Sequence, residues 1–235
     1  MRSVRVLGVL VWAIWVLRPD GALADEDPRG PFSIHGGELV GNGQDAVSAG
    51  LGWPGILVQY DHGLSSSLDV GGRGELLWAS PTSEPGSLLE THVPGLQASV
   101  PIRLRLSESR SVGIALGLRP GVYFGPFGGA RGNRFGDDDM NLGIGLEAGV
   151  QITIATSSSM NVVAGVSIPA FALLLLDAGE QEFFFPLLPS GGFELGLADD
   201  LNLFVLGKFG PAIHVHEDTA LEAMLQLQGG ISYLL

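Results

Sequence analysis

Cysteine is absent from this chain of 235 residues. Its absence excludes a disulfide framework, which small secreted domains often use to compensate for a thin hydrophobic core. It also excludes the cysteine-ligated zinc sites found in many small domains. The sequence further lacks a Gly-x-Ser-x-Gly motif, which marks the nucleophile of one large class of hydrolases. The stability of the fold must therefore come from backbone pairing and burial rather than from cross-links.

Long apolar runs are missing from the chain after its first residues. Residues 6–17 form the one long run; two arginines precede it and Ala22-Leu23-Ala24 follows it. This order of features is typical of a secretory signal peptide, and the run is shorter than the roughly 20 residues that a spanning helix needs. We therefore predict a cleaved signal peptide over 1–24, with cleavage near Ala24. A retained membrane anchor is the alternative.

Basic residues are few, because 12 Lys and Arg stand against 25 Asp and Glu, which gives a net charge of −13. This balance argues against nucleic-acid binding, which needs a basic surface. The chain is nevertheless 46% hydrophobic, with a mean hydropathy of +0.33. In lipid, only helices and closed β-barrels satisfy every backbone group. The composition therefore favours an outer-membrane β-barrel, and a secreted soluble β-sandwich is the alternative.

Apolar and polar residues alternate with a period of two along most of the remaining chain. In the last segment, the odd positions of 221–235 are mostly apolar and the even positions mostly polar, with Met224 and Leu234 as exceptions. Such alternation gives a strand one apolar face and one polar face. In a membrane barrel, the apolar face contacts lipid and the polar face lines the lumen.

The C-terminal strand resembles the assembly signal of bacterial outer-membrane proteins. That signal has a polar residue, a glycine, an aromatic residue and a terminal apolar residue at fixed spacing, which here are Gln228, Gly230, Tyr233 and Leu235. Leu235 departs from the commonest ending of the family, which is Phe. The resemblance to Gram-negative outer-membrane barrels of the small-porin-like class implies insertion by the barrel assembly machinery. It also implies contact with outer-membrane lipid and lipopolysaccharide, and no cofactor.

The pattern predicts an all-β, transmembrane, antiparallel up-and-down barrel over residues 45–235. Residues 25–44, rich in glycine and acidic residues, are predicted to form a loose periplasmic lead-in. About ten strands are expected, with eight as the alternative. Treating Trp53-Pro54-Gly55 as a kink rather than a turn gives nine, unless residues 33–41 add a strand. The predicted strands are 46–53, 55–63, 68–78, 95–107, 111–125, 140–155, 161–175, 183–197, 201–213 and 220–235. Short turns alternate with longer connections, as periplasmic turns alternate with external loops in such barrels.

Eight charged residues take the parity opposite to that of the apolar positions, so we predict that they face the lumen. A lipid-facing Arg or Lys at mid-depth would cost roughly 2–4 kcal/mol. Counting from the short turns predicts a mid-lumen charge layer, in which Arg119 and Glu147 pair across neighbouring strands. This layer consists of Arg73, Arg119, Glu147 and Lys208, and the other lumen charges are Glu75, Arg103, Arg105 and Glu194. Such a layer either packs a plugged interior or acts as a selectivity constriction.

Aromatic residues are predicted to form two girdles at the membrane interfaces, which is where such side chains are enriched. The external girdle would contain Trp53, Trp78, Phe124 and Phe185, and the periplasmic girdle would contain Tyr60, Phe193 and Tyr233. Phe171 and Phe204 have the inward parity and are expected to fill space.

The external loops contain the few residues that suggest other chemistry. His214 and His216 are spaced so that both rings point to one side of an extended chain, and Asp218 follows them. They are weak metal-ligand candidates, and acidic loops near lipopolysaccharide can bind divalent cations. Some outer-membrane proteases are ten-stranded barrels with Asp and His at the external rim, but no motif of theirs is present here, so no catalytic residue is predicted.

The sequence therefore leaves the function at a narrow channel for ions or small solutes, or a plugged structural barrel. An outer-membrane hydrolase with its site on the external loops is a further alternative. Ten strands lie between small barrels that side chains fill and porins with open aqueous channels.

Overall fold

The computed structural model describes residues 32–78, 82–83, 95–109, 111–125, 141–175, 181–215 and 219–235. These residues form thirteen strands: β1 (Asp45–Trp53), β2 (Gly55–Ser65), β3 (Leu68–Leu77), β4 (Thr82–Ser83), β5 (Gly95–Ser99), β6 (Ile102–Glu108), β7 (Val112–Gly125), β8 (Asn141–Ser157), β9 (Met160–Leu175), β10 (Gln181–Pro186), β11 (Leu188–Ala198), β12 (Leu201–Val215) and β13 (Thr219–Leu234). None of the described residues forms a helix that could cross a membrane.

The strands close into an antiparallel barrel, because β1 pairs with β13 as well as with β2. β5 and β6 form one barrel strand interrupted at Val100 and Pro101, and β10 and β11 form another interrupted at Leu187. The barrel therefore has ten strands. Leu51 pairs with Ile56 across the segment that holds Pro54, so that segment is a turn and not a kink. The predicted all-β antiparallel barrel and its strand number of ten are confirmed.

The two ends of the barrel differ in their connections. Two-residue turns at 66–67, 158–159 and 199–200 lie at the end where β1 starts and β13 finishes. We call this the turn end. The longer connections lie at the opposite end, which we call the loop end; most of their residues lie outside the described part of the chain.

Side chains alternate across the barrel wall, as the period-two pattern predicts. On β2, Ile56, Val58 and Tyr60 are exposed on the outside, whereas Leu57 and Gln59 are buried inside. Met224 and Leu234 are the two exceptions to the pattern of the last segment. Both are at even positions of β13, which face the interior of the barrel. An apolar residue at an inward position is thus part of the interior packing.

Residues 32–44 correct the predicted lead-in. Over 32–40 the chain is not loose, because it lies inside the barrel at the turn end and six of its nine residues are buried. Ile34 and Val40 pack with Ala46 of β1, with Phe32 and Leu234 against them. An exposed turn at 42–43 then leads into β1. Residues 25–31 of the predicted lead-in lie outside the described residues.

Apolar side chains fill the interior near the loop end. One cluster contains Phe184, Leu188, Ala212 and Met224, a second contains Leu77, Tyr123 and Leu173, and Phe171 packs against both. Their exposed fractions are 4% or less, apart from that of Phe171. The interior therefore has an apolar layer at the loop end and the 32–40 segment at the turn end.

The wall has a gap in its hydrogen-bond ladder between β9 and the β10–β11 strand. Phe184 pairs with Phe171 and Leu188 pairs with Ser167, but no pairing joins the residues between them. Continuing the register places Pro186 opposite Pro169. Proline has no backbone N–H to donate to a ladder, so two prolines facing each other account for the gap.

Candidate functional site

The interior of the barrel holds all eight of the charged residues that the sequence assigns to the lumen. Each of them occupies an inward position of its strand, and their neighbours on either side face outward. Arg73, Glu75, Arg119, Glu147 and Lys208 form one connected cluster, and the remaining three charges lie nearer the turn end. We call Arg73, Glu75, Arg119, Glu147 and Lys208 the central cluster.

The central cluster is a chain of ion pairs across the lumen. Arg119 and Glu147 are direct partners in the β7–β8 register, and the Arg119 guanidinium donates to Glu147 Oε2. Lys208 Nζ donates to Glu147 Oε1 at 2.8 Å from the other side of the barrel. Arg73 Nε donates to Glu75 Oε1 at 2.6 Å, and Arg119 Nη1 lies 3.8 Å from the same carboxylate oxygen. The cluster thus ties four strands together through the interior.

The cluster contains three cations and two carboxylates. Their side chains are between 6% and 25% exposed, so little water screens them. Burial of one such group alone would cost several kcal/mol, which makes each member dependent on its partners. Neutral amides extend the cluster: Arg73 donates to Gln59 Oε1 at 3.2 Å and to Gln228 Oε1 at 3.4 Å.

Arg103 and Glu194 face the interior and contact the 32–40 segment. Arg103 forms an ion pair of 2.9 Å with Asp69 and donates to the carbonyl oxygens of Ile34 and Glu38. Glu194 Oε1 accepts a hydrogen bond of 3.2 Å from the backbone N–H of His35. Both side chains therefore bind the 32–40 segment instead of lining an open lumen. Arg105 faces inward nearer the turn end and is partly buried.

A cavity of about 100 Å³ separates the central cluster from the 32–40 segment. Its walls include Arg73, Arg119, Glu147 and Lys208 on one side and Ile34 and His35 on the other. At roughly 30 Å³ per molecule, it has room for about three waters. Gly117 and Gly149 contribute to its wall, and side chains at these inward positions would reduce it.

The interior also holds several polar residues that were not predicted from the sequence. Asp61, Asp69, Thr153 and Asn202 are each 1% exposed or less. All four occupy inward positions of their strands. The alternation that placed the eight charges in the interior would therefore have placed these residues there as well. The position of residues 32–40 carries no such signal, because that segment is not periodic.

The aromatic residues of the two predicted girdles all have outward parity. Trp78, Phe124 and Phe185 lie near the loop end with exposed fractions of 38–45%, and Trp53 there is half-buried. Tyr60, Phe193 and Tyr233 lie towards the turn end with exposed fractions of 36–44%. Their role at membrane interfaces stays a prediction.

The four residues of the predicted assembly signal lie at the end of β13. Gln228 and Gly230 face the interior, whereas Tyr233 and Leu235 face outward. Packing explains why residue 230 is a glycine, since a Cβ on Gly230 would lie 2.1 Å from the carbonyl oxygen of Ala49 and 2.8 Å from the ring of Phe204. Recognition of this segment by the barrel assembly machinery stays a prediction.

The metal candidates cannot be placed in a site. His216 and Asp218 lie outside the described residues, and for His214 only the backbone pairing with Phe184 and Ala220 is described. Within the described residues, no three His, Asp or Glu side chains are grouped so that they could hold a metal ion.

Comparison with known proteins adds no further assignment. No protein-family model matches the chain, and no curated protein is significantly similar to it.

Proposed function

We propose that the chain is an integral outer-membrane β-barrel whose interior is closed at rest. The observation that carries this proposal is the distribution of charge across the wall. Among the described side chains, the outward positions of the ten barrel strands carry one Asp, Glu, Lys or Arg, which is Asp45 at the start of β1. The interior carries all members of the central cluster.

The outer surface supports the membrane location. Large apolar side chains cover it on every barrel strand, for example Leu51, Val122, Ile144, Phe209 and Leu221, which are 51–75% exposed. Water-soluble monomers rarely expose contiguous apolar patches of this extent. The 14 residues of β7, at roughly 3.3 Å each and a tilt of about 45°, cover about 33 Å, close to the ~30 Å hydrocarbon core.

The closed interior supports a plugged barrel over an open channel. The apolar layer blocks the loop end, the central cluster crosses the middle, and residues 32–40 block the turn end. A through-path requires movement of at least the first and the last of these. With the short turns in the periplasm, outer-membrane lipid and lipopolysaccharide would contact the outward faces, and the barrel assembly machinery would recognise the end of β13.

The test is planar-bilayer conductance of refolded residues 25–235, combined with carbonate extraction of membranes that contain the protein. We expect retention in the carbonate-washed membrane and no conductance steps. Discrete steps would show an open channel and refute the closed interior. Release by carbonate would refute the membrane location and favour the soluble sandwich.

A further inference from the structure

The barrel holds residues 32–40 mainly through the main chain of that segment. Six hydrogen bonds join a barrel side chain to a backbone group of the segment: His35 N–H to Glu194 (3.2 Å), Gly37 N–H to Thr153 (2.7 Å), Val40 N–H to Asp69 (2.8 Å), Arg103 to the carbonyls of Ile34 and Glu38 (the latter at 3.2 Å), and Asn202 to the carbonyl of Phe32. Every peptide offers the same backbone groups. These contacts therefore recognise the main chain of the segment, which bends at residues 34–37.

The segment uses only part of the hydrogen-bonding capacity that surrounds it. Four of the five side chains that bind it retain a buried polar atom without a partner: Glu194 Oε2, Asp69 Oδ1, Arg103 Nε and Asn202 Oδ1. All four residues are 4% exposed or less. Buried polar atoms are nearly always satisfied in native proteins. A ligand at this site can use these four atoms as additional hydrogen-bond partners.

Specificity at this site comes from two glycines, one apolar residue and the ring of His35. A Cβ on Gly36 would lie 1.8 Å from Thr153 Oγ1, and a Cβ on Gly37 would lie 2.2 Å from the carbonyl oxygen of Gly113. Only glycine fits at these two positions. Ile34 is 2% exposed and fills an apolar space beside Ala46. The ring of His35 lies 4.2 Å from that of the buried Phe204. The site therefore favours the order apolar residue, aromatic residue or His, Gly, Gly.

The segment can leave without unpairing any strand. It is joined to β1 by a turn in which Asn42 and Gly43 are exposed, and Gly41 and Gly43 have positive φ angles of 110° and 71°. The first pairing of β1 begins at Asp45. Departure of the segment thus breaks side-chain contacts and the turn but leaves the barrel wall intact.

We propose that the turn end of the barrel is a peptide-binding site, which residues 32–40 occupy within the same chain. A segment of another protein that adopts the same bend and carries the order apolar residue, aromatic residue or His, Gly, Gly can take their place. The attached segment is then a competitor at high effective concentration, which a short linker sets in the millimolar range. If the barrel lies in the outer membrane as proposed above, the partner segment is periplasmic.

The experiment separates the segment from a barrel that has already folded. A protease recognition sequence is inserted between Asn42 and Gly43, the full chain is refolded in detergent, and the protein is then cut. The probe is a fluorescent synthetic peptide of residues 25–42, and binding is followed by fluorescence anisotropy. We expect saturable binding of the probe to the cut protein and at least tenfold weaker binding to the uncut protein, whose site is filled.

Matched variants make the result specific. A probe with Gly37→Ala should bind at least tenfold more weakly, whereas Asn42→Ser, at an exposed position, should not change the affinity. In the barrel, Thr153→Val should weaken binding severalfold, whereas Thr153→Ser, which keeps the hydroxyl group, should restore it. If the inserted sequence prevents refolding, hydroxylamine can cut the unmodified protein, because Asn42-Gly43 is its one Asn-Gly bond.

Two results would overturn the proposal. In the first, the cut barrel remains folded but binds no probe. In the second, probes with and without Gly37→Ala bind equally well, which would indicate adsorption to the apolar surface. Neither result depends on the membrane location, which carbonate extraction tests separately.

Discussion

Replacement of Glu147 by Gln should strongly destabilise the barrel. Glu147 accepts hydrogen bonds from both Arg119 and Lys208, and its side chain is 12% exposed. The substitution keeps the shape and removes the charge, so three cations would face Glu75 alone. The expected loss follows from the number of ion pairs that are broken and from their burial.

A unit charge pair about 4 Å apart contributes about 4 kcal/mol at an effective dielectric constant of about 20. Glu147 makes two such ion pairs, and the free-energy cost of removing its carboxylate from water offsets part of the energy that they contribute. Removal of one partner from a buried ion pair typically costs about 3–5 kcal/mol. The cluster borders a cavity that has room for water, and Lys208 is 25% exposed. We therefore expect the lower end of this range, about 3 kcal/mol, for the free energy of unfolding.

The assay is urea-induced unfolding in lipid vesicles, with Asp199→Asn as the control that removes a carboxylate from an exposed turn. The double variant Glu147→Gln/Lys208→Met should recover part of the loss, because it also removes one of the stranded cations. A change of less than about 0.5 kcal/mol for Glu147→Gln would place it among ordinary surface substitutions. That result would refute the view that the central cluster holds the four strands together.

Three other substitutions test the wall and the interior. Leu118→Arg, on the outer face in the middle of β7, should cost roughly 2–4 kcal/mol in unfolding from a bilayer; no loss would be the behaviour of a soluble protein. Phe204→Ala removes a fully buried ring whose centroid lies 4.2 Å from that of His35. It should cost about 3–5 kcal/mol and speed proteolysis at the 42–43 turn; an unchanged cleavage rate would show that the ring does not hold the segment. Pro186→Val restores a backbone N–H opposite Pro169, so hydrogen exchange of nearby β9 amides should slow; an unchanged rate would mean that the prolines do not weaken this part of the wall.

Parity along the strands was sufficient to predict the facing of the wall. Side chains on a strand alternate between its two faces with a period of two residues. A shift of one residue would therefore place every following side chain on the wrong face. This is why Arg119 and Glu147 could be paired from the sequence, and why Phe171 and Phe204 could be assigned to the interior. Strand ends were within a few residues of those observed, because glycine, serine and aspartate mark the turns.

The alternation along a strand does not predict which inward side chains contact one another at a given level along the barrel axis. Met224 is one inward residue among polar neighbours in the sequence, and its packing with Phe184 and Leu188 is set by strands that are distant in the chain. The same limit explains the error at residues 32–40. Glycine and acidic content suggested a loose segment, whereas Gly36 and Gly37 allow the close approach to Thr153 and Gly113 that places it inside.

The three closures of the interior differ in how easily each can be removed. The apolar layer at the loop end belongs to the strands themselves, so Phe184 or Met224 cannot leave without distortion of the wall. The central cluster also spans the strands, and separating its charges costs several kcal/mol for each group that is left unpaired. Residues 32–40 alone belong to no strand. The turn end is therefore the side from which the cavity beside Arg73 and Lys208 can become accessible, and a ligand that reaches it would still meet the apolar layer beyond. This asymmetry favours a binding role at the turn end over passage through the barrel.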